Sequence, residues 1–282
     1  MTPYRVSSLA AVAMVGVLAA SMPCNAAGKA RIASINVCTD QLLLALADAA
    51  QIVGLSPYSR DAARSWAAAD AGRYQRLSGD AEDVLILKPD LVVASRFTKR
   101  PTIELLHDKG VRIVEFDVAL SLAEARDQIR QMGELVGDRE RADVQIARLD
   151  DAVERARTAA ARKNYRVLPL SRRGWVSGRE SLTSSLLEVA GLSNAAGEIG
   201  FRGGGLASLE TIVSARPDFI LVDDDSPFAE DQGRAFLLHP VLERLYPPAK
   251  RLMVPERLTV CGGPMLAEAL ERLTAEIERV NR

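Results

Sequence analysis

The feature that most constrains the fold of this chain is residues 138–168, which contain neither glycine nor proline. Apolar residues recur there at alternating steps of four and three: Ala142, Ile146, Leu149, Val153, Ala156 and Ala160. This spacing places them on one stripe of an α-helix, with charged and amide side chains on the other faces. The sequence therefore predicts a helix over residues 138–164, and about 25 residues of helix are roughly 38 Å long, enough to span a lobe. A coiled-coil partner for this stripe is the alternative.

Short apolar runs alternate with helical patterns on both sides of this helix. The predicted strands cover residues 31–35, 52–55, 90–94, 111–116, 166–170, 219–222 and 251–254. Strands separated by helices are typical of βαβ units, which build parallel sheets. We predict an α/β fold of two Rossmann-like lobes with parallel sheets joined by one long helix. The N-terminal α/β lobe is expected over residues 28–137 and the C-terminal α/β lobe over residues 165–282.

The helix boundaries are predicted from capping patterns. Thr39 or Asp40 is expected to cap the first helix, and Ser121 with Glu124 forms a capping-box signature for the helix that ends before Gly137. Residues 203–205, all glycine, are expected to form a flexible lead-in to the helix after Ser208. The other predicted helices cover residues 102–109, 181–190 and 265–280.

Residues 1–27 have the pattern of a secretory signal peptide. Arg5 is their only charge, an uncharged apolar run covers residues 9–20, and small residues follow. We expect cleavage near Ala26 or Ala27 and a periplasmic protein. A retained N-terminal anchor, or lipid attachment at Cys24, is the alternative.

Charge and composition argue against several classes of function. The 36 basic residues nearly balance the 37 acidic ones, so the chain has no global positive field to hold a nucleic acid. The two histidines lack a metal-ligand spacing, and the Gly-x-Ser-x-Gly motif of hydrolases is missing from the sequence. We expect no catalytic residue, no metal and no cofactor. A hydrolase built from scattered residues, or a scaffold protein, is the distant alternative.

Two cysteines remain after cleavage of the predicted signal peptide. Cys38 and Cys261 each follow a valine shortly after a predicted strand. An even number of cysteines in an exported chain permits one disulfide, which would limit opening of the lobes. A disulfide and two free thiols both remain open.

One segment of the first lobe has a similar sequence pattern in the second. Residues 82–93 and 210–221 share a glutamate, apolar residues, a basic residue, the pair Pro-Asp and an apolar strand, at an offset of 128 residues. Asp80 and Ser208 are placed to cap the two helices, and Glu82 and Glu210 fall in the first helical turns. Acidic residues at such positions stabilise the helix dipole, which is one explanation for both glutamates.

Together these segments resemble the substrate-binding proteins of ABC importers for ferric siderophores and vitamin B12. The resemblance covers essentially the whole mature chain and rests on the order and spacing of residues 31–34, 52–56, 87–93 and 216–220 and of the mid-chain helix. It implies a ligand in the cleft between the lobes. It also implies that Glu82 and Glu210 dock onto basic residues of an ABC permease–ATPase complex in the inner membrane. We expect a monomer.

Parallel sheets collect ligands at the carboxyl ends of their strands, so the loops that follow the strands are the candidate binding loops. Five of the thirteen aromatic residues fall in or beside them, together with arginines that can pair with a carboxylate or phosphate. The candidate ligand-binding residues are Tyr58, Arg60, Trp66, Arg96, Phe97, Arg172, Trp175 and Phe228. Residues 54–59 resemble a loop of corrinoid-binding relatives, which favours a corrinoid. A ferric siderophore and heme are the alternatives.

Overall fold

The computed structural model describes residues 29–160, 164–223 and 235–281 of the 282-residue chain. The strands are β1 (Ile32–Ser34), β2 (Ile52–Gly54), β3 (Leu91–Ser95), β4 (Ile113–Phe116), β5 (Arg166–Pro169), β6 (Trp175–Ser177), β7 (Ser193–Asn194), β8 (Gly204–Leu206), β9 (Phe219–Val222) and β10 (Arg251–Met253). The helices are α1 (Val37–Leu46), α2 (Ala68–Ala71), α3 (Ala81–Leu87), α4 (Arg100–Asp108), α5 (Leu122–Val136), α6 (Arg139–Thr158), α7 (Leu182–Val189), α8 (Leu209–Ala215), α9 (Pro240–Leu245) and α10 (Leu266–Val280). Short 3-10 turns cover Ala49–Gln51, Arg172–Gly174, Ala195–Gly197, Pro248–Lys250 and Glu256–Leu258.

The strands form two parallel sheets, one in each lobe. The first sheet has the order β2-β1-β3-β4 and the second the order β10-β9-β5-β7. Strands β6 and β8 form a separate antiparallel pair. The predicted α/β class with two parallel sheets is confirmed. None of the helices in the described part of the chain combines the length and apolar character needed to cross a membrane.

Successive residues of the central strands face two different cores. In β3, Leu91 and Val93 belong to the largest core cluster, whereas Val92 and Ala94 pack with residues of α3 and α4. In β9 the same alternation places Leu221 in the largest cluster. Side chains of a strand alternate between the faces of its sheet, so each sheet is buried on both sides.

The largest core cluster runs through both lobes. Its N-terminal members include Leu42 of α1 and Ile129 of α5, and its C-terminal members include Leu252 of β10 and Leu270 of α10. Leu149 of α6 is fully buried within the same cluster. Helix α6 packs against both α5 and α10, so it connects the lobes through buried apolar contacts as well as through the chain.

Helix α6 is shorter than predicted. It ends at Thr158, a length of 20 residues or about 30 Å, instead of extending to residue 164. The last buried residue of its apolar stripe is Ala156. Among the described residues from 157 to 160, no side chain is fully buried against the core, and packing supplies most of the stability of a helix in a protein.

The cap of α1 also differs from the prediction. The N-cap is Asn36, whose side chain accepts a hydrogen bond from the Cys38 amide at 2.9 Å. Neither Thr39 nor Asp40 caps the helix. Asp40 lies inside the first turn, and its carboxylate accepts a hydrogen bond from the Ser56 amide at 3.0 Å instead. The sequence pattern alone did not reveal this contact between the first and second strand ends.

The repeated segments have the same local structure in both lobes. Helices α3 and α8 each end at a basic residue in the left-handed conformation, Lys88 with φ 47° and Arg216 with φ 45°. Ser208 caps α8 as predicted by accepting from the Thr211 amide at 3.2 Å. Asp80 is the N-cap residue of α3, but its side chain makes no capping hydrogen bond. It lies 3.4 Å from the ammonium group of Lys99.

One arginine in each lobe joins these helices to the sheet. Arg31 donates from its guanidinium group to the carbonyls of Leu87 and Lys88, and Arg166 donates to those of Ala215 and Arg216. These carbonyls belong to the C-terminal ends of α3 and α8, which leave acceptors unsatisfied. The backbone amide of each arginine also bonds to a carboxylate, that of Asp90 or Asp218, at 2.8 Å.

The pair β6–β8 is absent from the prediction. Each strand is only three residues long, too short to show an alternating pattern. The glycine-rich segment is therefore not the predicted flexible lead-in, because Gly204 and Gly205 pair with Ser177 and Val176. Gly204 has φ 151°, and a Cβ there would lie 3.0 Å from Cζ2 of Trp175. Glycine is thus required for the close approach that positions the Trp175 ring.

Substitution of Gly133 tests the close packing of α5 on α6. A Cβ at this position would lie 2.5 Å from the Cβ of Ala142. We expect Gly133→Ala to lower the free energy of unfolding by about 1–3 kcal/mol, as measured by urea denaturation, because a methyl group must enter a filled interface. The double variant Gly133→Ala with Ala142→Gly should recover part of this loss. Gly203→Ala is the control, since no atom lies within 4 Å of its added Cβ. Equal losses in Gly133→Ala and Gly203→Ala would contradict the packing argument.

Candidate functional site

A cavity of about 360 Å3 lies between the carboxyl ends of the two sheets. The N-terminal lobe contributes the loop after β4, with Val118 and Leu120. The C-terminal lobe contributes the end of β9 with Asp223, the start of β6 with Trp175, and the segment after β10 with Glu256. Ligands of open α/β sheets bind at this end of the strands, so the cavity is the candidate binding cleft. Its volume is at the low end for ligand cavities, so a large ligand would project from it.

A smaller cavity of about 130 Å3 adjoins the cleft on the N-terminal side. It shares Val118, Ala119 and Val260 with the larger cavity. Phe97 also lines it, together with both members of the pair Cys38 and Cys261. The two cavities form one continuous groove, which we call the interlobe cleft.

Apolar side chains are exposed along this cleft. Phe97 is 76% exposed, and the exposed fractions of Val118, Leu120, Trp175 and Val260 lie between 42% and 48%. They come from different loops of both lobes and line the two cavities. A cluster of exposed apolar residues in a concave site is typical of a surface that another molecule covers.

The charged residues that line the described part of the cleft are acidic. They are Asp117, Asp223 and Glu256. Asp117 forms an ion pair with Arg96 at 3.0 Å. Glu256 is exposed, but desolvation by the surrounding protein raises the pKa of its carboxyl group, and the negative charge of Asp223 adds to the effect. The positive charges of Arg172 and Arg64 oppose this rise.

Tyr58 lies in the turn after β2 and is half exposed. The guanidinium carbon of Arg64 lies 5.1 Å from the centre of its ring, a distance typical of a cation–π contact. The charge of Arg64 also acts on Glu256, which lines the cleft, but neither Tyr58 nor Arg64 lines either cavity.

The buried side chain of Asp40 stabilises the turn that carries Tyr58. This Asp40 side chain is fully buried and accepts hydrogen bonds from the amide and the hydroxyl of Ser56. The hydroxyl of Ser56 in turn accepts from the amide of Tyr58 at 3.3 Å. Burial raises the pKa of Asp40 to about 7, while hydrogen bonds from Ser34 and Ser56 act in the opposite direction.

Of the predicted ligand residues, Trp175 and Phe97 line the cavities, whereas Arg60, Trp66, Arg96 and Arg172 do not. The guanidinium of Arg60 donates to the carbonyl of Tyr74 at 2.6 Å. The indole nitrogen of Trp66 donates to the carboxylate of Glu268 in α10 at 2.9 Å, and its ring packs against the largest core cluster. Arg172 is partly buried and contributes its charge near Glu256. Phe228 lies outside the described residues.

Cys38 and Cys261 form a disulfide in the structure. Their Cα atoms are 5.3 Å apart although the residues are 223 positions apart in sequence. Gln41 donates to the sulfur of Cys261 at 3.3 Å and accepts from the amide of Trp66 at 2.9 Å. The disulfide therefore lies at the floor of the cleft and joins the N-terminal end of α1 to the segment before α10.

Several cleft residues were missed by the sequence argument. Val118 and Leu120 follow β4, and Glu256 follows β10, so all three come after strands that the sequence did predict. Ligands of parallel sheets bind at the carboxyl ends of the strands, so the loops after β4 and β10 were also candidate binding loops. Hydrophobic character alone could not separate Val118 and Leu120 from buried residues of the same type.

Glu82 and Glu210 occupy equivalent positions in the first turns of α3 and α8, and both are exposed. The hydrogen bond with Ser208 holds the pKa of Glu210 below its usual value. Both glutamates are therefore presented to solvent, one from each lobe.

Two α/β lobes, each with a parallel sheet, lie on either side of a cleft and are joined by one helix. This arrangement defines a two-lobe binding protein. The family model described as periplasmic binding protein matches residues 32–251 of this chain. The chain belongs to this family, which confirms the resemblance found in its sequence.

Known proteins are similar over much of the chain. A cobalamin-binding protein of Halobacterium salinarum is 24% identical over 199 residues, which are 68% of this chain and 53% of that protein. The chain thus matches about half the length of this relative. The periplasmic heme-binding protein RhuT from Roseiflexus sp. RS-1 has a TM-score of 0.71 and 23% identity, over 90% of this chain and 100% of its own. The periplasmic vitamin B12-binding protein BtuF of Vibrio cholerae has a TM-score of 0.68 and 17% identity, over 90% and 98%. These two structures show the shared fold.

Asp40→Asn tests the burial of the carboxyl group beneath the Tyr58 turn. The folded protein retains a proton on Asp40 up to a pH of about 7, whereas the unfolded chain releases it near the ordinary pKa of 3.8. The free energy of unfolding should therefore fall as pH rises from about 4 to 7, by on the order of 4 kcal/mol relative to the variant. Urea denaturation of both proteins across this range measures the difference. Asp151→Asn, at an exposed position on α6, is the control and should follow the wild type. Parallel curves for wild type and Asp40→Asn would contradict the assignment.

Proposed function

We propose that the protein is the periplasmic substrate-binding subunit of an ABC importer and that it captures a corrinoid in the interlobe cleft. The observation that carries this proposal is the gathering of exposed apolar side chains from both lobes around one cavity. Trp175, Val118 and Leu120 line opposite parts of it. Leaving such side chains in water is unfavourable, at roughly 25 cal/mol for each Å2 of apolar surface. A large flat ligand would cover them without any change in the fold.

The class of ligand follows from the size and chemistry of the cleft. A macrocycle offers broad apolar faces that pack against aromatic and branched side chains, and its polar periphery can extend toward solvent. Phe97 is exposed and lines the smaller cavity, where it can contact the part of a ligand that projects from the cleft. One relative is named as a cobalamin-binding protein, which supports a corrinoid.

Heme is the second candidate, favoured by the exposed phenol of Tyr58. A phenol oxygen can ligate ferric iron, and Tyr58 is half exposed, although Tyr58, like both histidines, lines neither cavity of the described cleft. His107 is near the end of α4 and His239 caps α9. A ferric siderophore is the remaining alternative.

The proposed binding cycle involves little movement of the lobes. The largest core cluster, the Cys38–Cys261 disulfide and the hydrogen bond from Trp66 to Glu268 all connect the two lobes. A cleft that is already formed loses less conformational entropy when it binds. The protein performs no chemistry on its ligand in this proposal.

Delivery requires recognition by the membrane permease. We assign this role to Glu82 and Glu210, because each lobe presents its glutamate to solvent at the same place in a repeated structure. Two separated carboxylates can pair with basic residues on the two halves of a permease, and such charge pairs fix orientation. Export by the predicted signal peptide would place the protein in the periplasm, and the predicted lobe boundaries remain part of this proposal.

Titration with cobalamin, ferric siderophores and heme tests the ligand class. We expect cobalamin to bind with a dissociation constant in the micromolar range or below, as measured by calorimetry. Trp175→Ala should weaken binding by about 30-fold, since truncating a central aromatic contact costs on the order of 2 kcal/mol. Val144→Ala is the control, because Val144 is exposed on α6 away from the cavities. Heme binding without cobalamin binding would favour the second candidate, and failure of all three ligands would refute the proposed ligand class.

The double variant Glu82→Ala with Glu210→Ala tests the docking role. Ligand affinity should stay unchanged because neither residue lines the described cavities, whereas uptake of labelled ligand into cells should be abolished. Glu104→Ala with Glu243→Ala removes two exposed carboxylates elsewhere, one from each lobe, and should leave uptake intact. Normal uptake by the Glu82/Glu210 variant would refute the assignment.

A further inference from the structure

The signs of the charges in the cleft carry information about the ligand. Asp117, Asp223 and Glu256 are the charged residues that line it in the described part of the chain, and none of these lining residues is basic. The sequence predicts that arginines hold a carboxylate or phosphate of the ligand. Arg60 instead bonds to a backbone carbonyl, and Arg96 is paired with Asp117. Arg172 lines neither cavity, but its charge acts on Glu256.

Glu256 is the acidic residue best placed to meet a ligand. It begins the 3-10 turn after β10 and lines the same cavity as Trp175 and Val260. Among the described residues, none donates a hydrogen bond to its carboxylate, and the charges of Arg64 and Arg172 act on it only from a distance. Asp117 differs, because its charge is already compensated by Arg96.

A carboxylate in such a position discriminates between ligands by charge and by hydrogen bonding. When a ligand covers the cleft, Glu256 loses water and needs a donor, because a buried charge without a partner is costly. A ligand N–H group supplies a charge-assisted hydrogen bond. A ligand carboxylate would lie beside a like charge and would be repelled.

We propose that Glu256 is a specificity-determining residue that accepts a hydrogen bond from an amide N–H of the ligand. The cleft thereby selects a corrinoid whose peripheral side chains are amides over a macrocycle whose periphery carries carboxylates. This inference rests on the proposed corrinoid function and specifies which chemical form of the ligand is captured.

Two probes with the same corrin ring and the same cobalt test this selectivity. Dicyanocobinamide carries amide side chains, and dicyanocobyrinic acid carries carboxylates at the equivalent positions. We expect the wild-type protein to bind the amide form at least about 100-fold more tightly, as measured by calorimetric titration at neutral pH. In Glu256→Gln this ratio should narrow by about tenfold, because the repulsion is lost and the hydrogen bond becomes uncharged.

Matched variants separate the charge of Glu256 from its packing. Glu256→Asp keeps the negative charge and should retain most of the discrimination against the carboxylate form. Glu278→Gln removes an exposed carboxylate on α10 and should match the wild type. Thermal unfolding of each variant establishes that the proteins compared are folded.

The outcomes distinguish this inference from the function on which it rests. If both corrinoids bind the wild type and Glu256→Gln leaves their ratio unchanged, the role of Glu256 is refuted while the corrinoid function stands. If neither corrinoid binds the folded wild type, the proposed function and this inference fail together. The role of Glu256 is supported if the ratio of the two corrinoid affinities narrows in Glu256→Gln but not in Glu256→Asp or Glu278→Gln.

Discussion

The structure depends on one apolar core that continues from the first lobe into the second. Helix α6 contributes Leu149 and Val153 to it, and the same cluster contains Leu42 of α1 and Leu270 of α10. Because separation of the lobes would expose this surface to water, their relative position is stabilised by the hydrophobic effect. The disulfide between Cys38 and Cys261 adds a covalent connection at the floor of the cleft. The cleft therefore exists before any ligand enters.

This rigidity explains how apolar side chains remain exposed in the cleft. Trp175 is held by the close approach of Gly204, and the turn of Tyr58 is held by Ser56 and the buried Asp40. Both side chains stay exposed, because these contacts fix the backbone segments that carry them. A site built in this way keeps its binding surface available.

In both lobes an arginine forms the same hydrogen bonds to orient one helix, α3 in the first lobe and α8 in the second. Arg31 and Arg166 each satisfy two carbonyls at the C-terminal end of a helix, next to a Pro-Asp pair that starts the following strand. The helices α3 and α8 therefore have equivalent positions relative to their sheets. Glu82 and Glu210 lie on these helices, so the equivalence of the two glutamates is a consequence of the fold.

The sequence by itself determined the α/β class and the position of most strands. It also determined the helix over residues 122–136 and the repeat that relates Glu82 to Glu210. All of these features depend on local periodicity and capping. Contacts between distant residues required the tertiary structure. Arg96 pairs with Asp117 and Trp66 bonds to Glu268, so two side chains that the sequence offered as ligand contacts are held by partners within the protein. The acidic lining of the cleft and the burial of Asp40 were likewise decided by the packing of separate elements. No local pattern records which polar groups meet when the lobes assemble, since each pairing depends on geometry contributed by both.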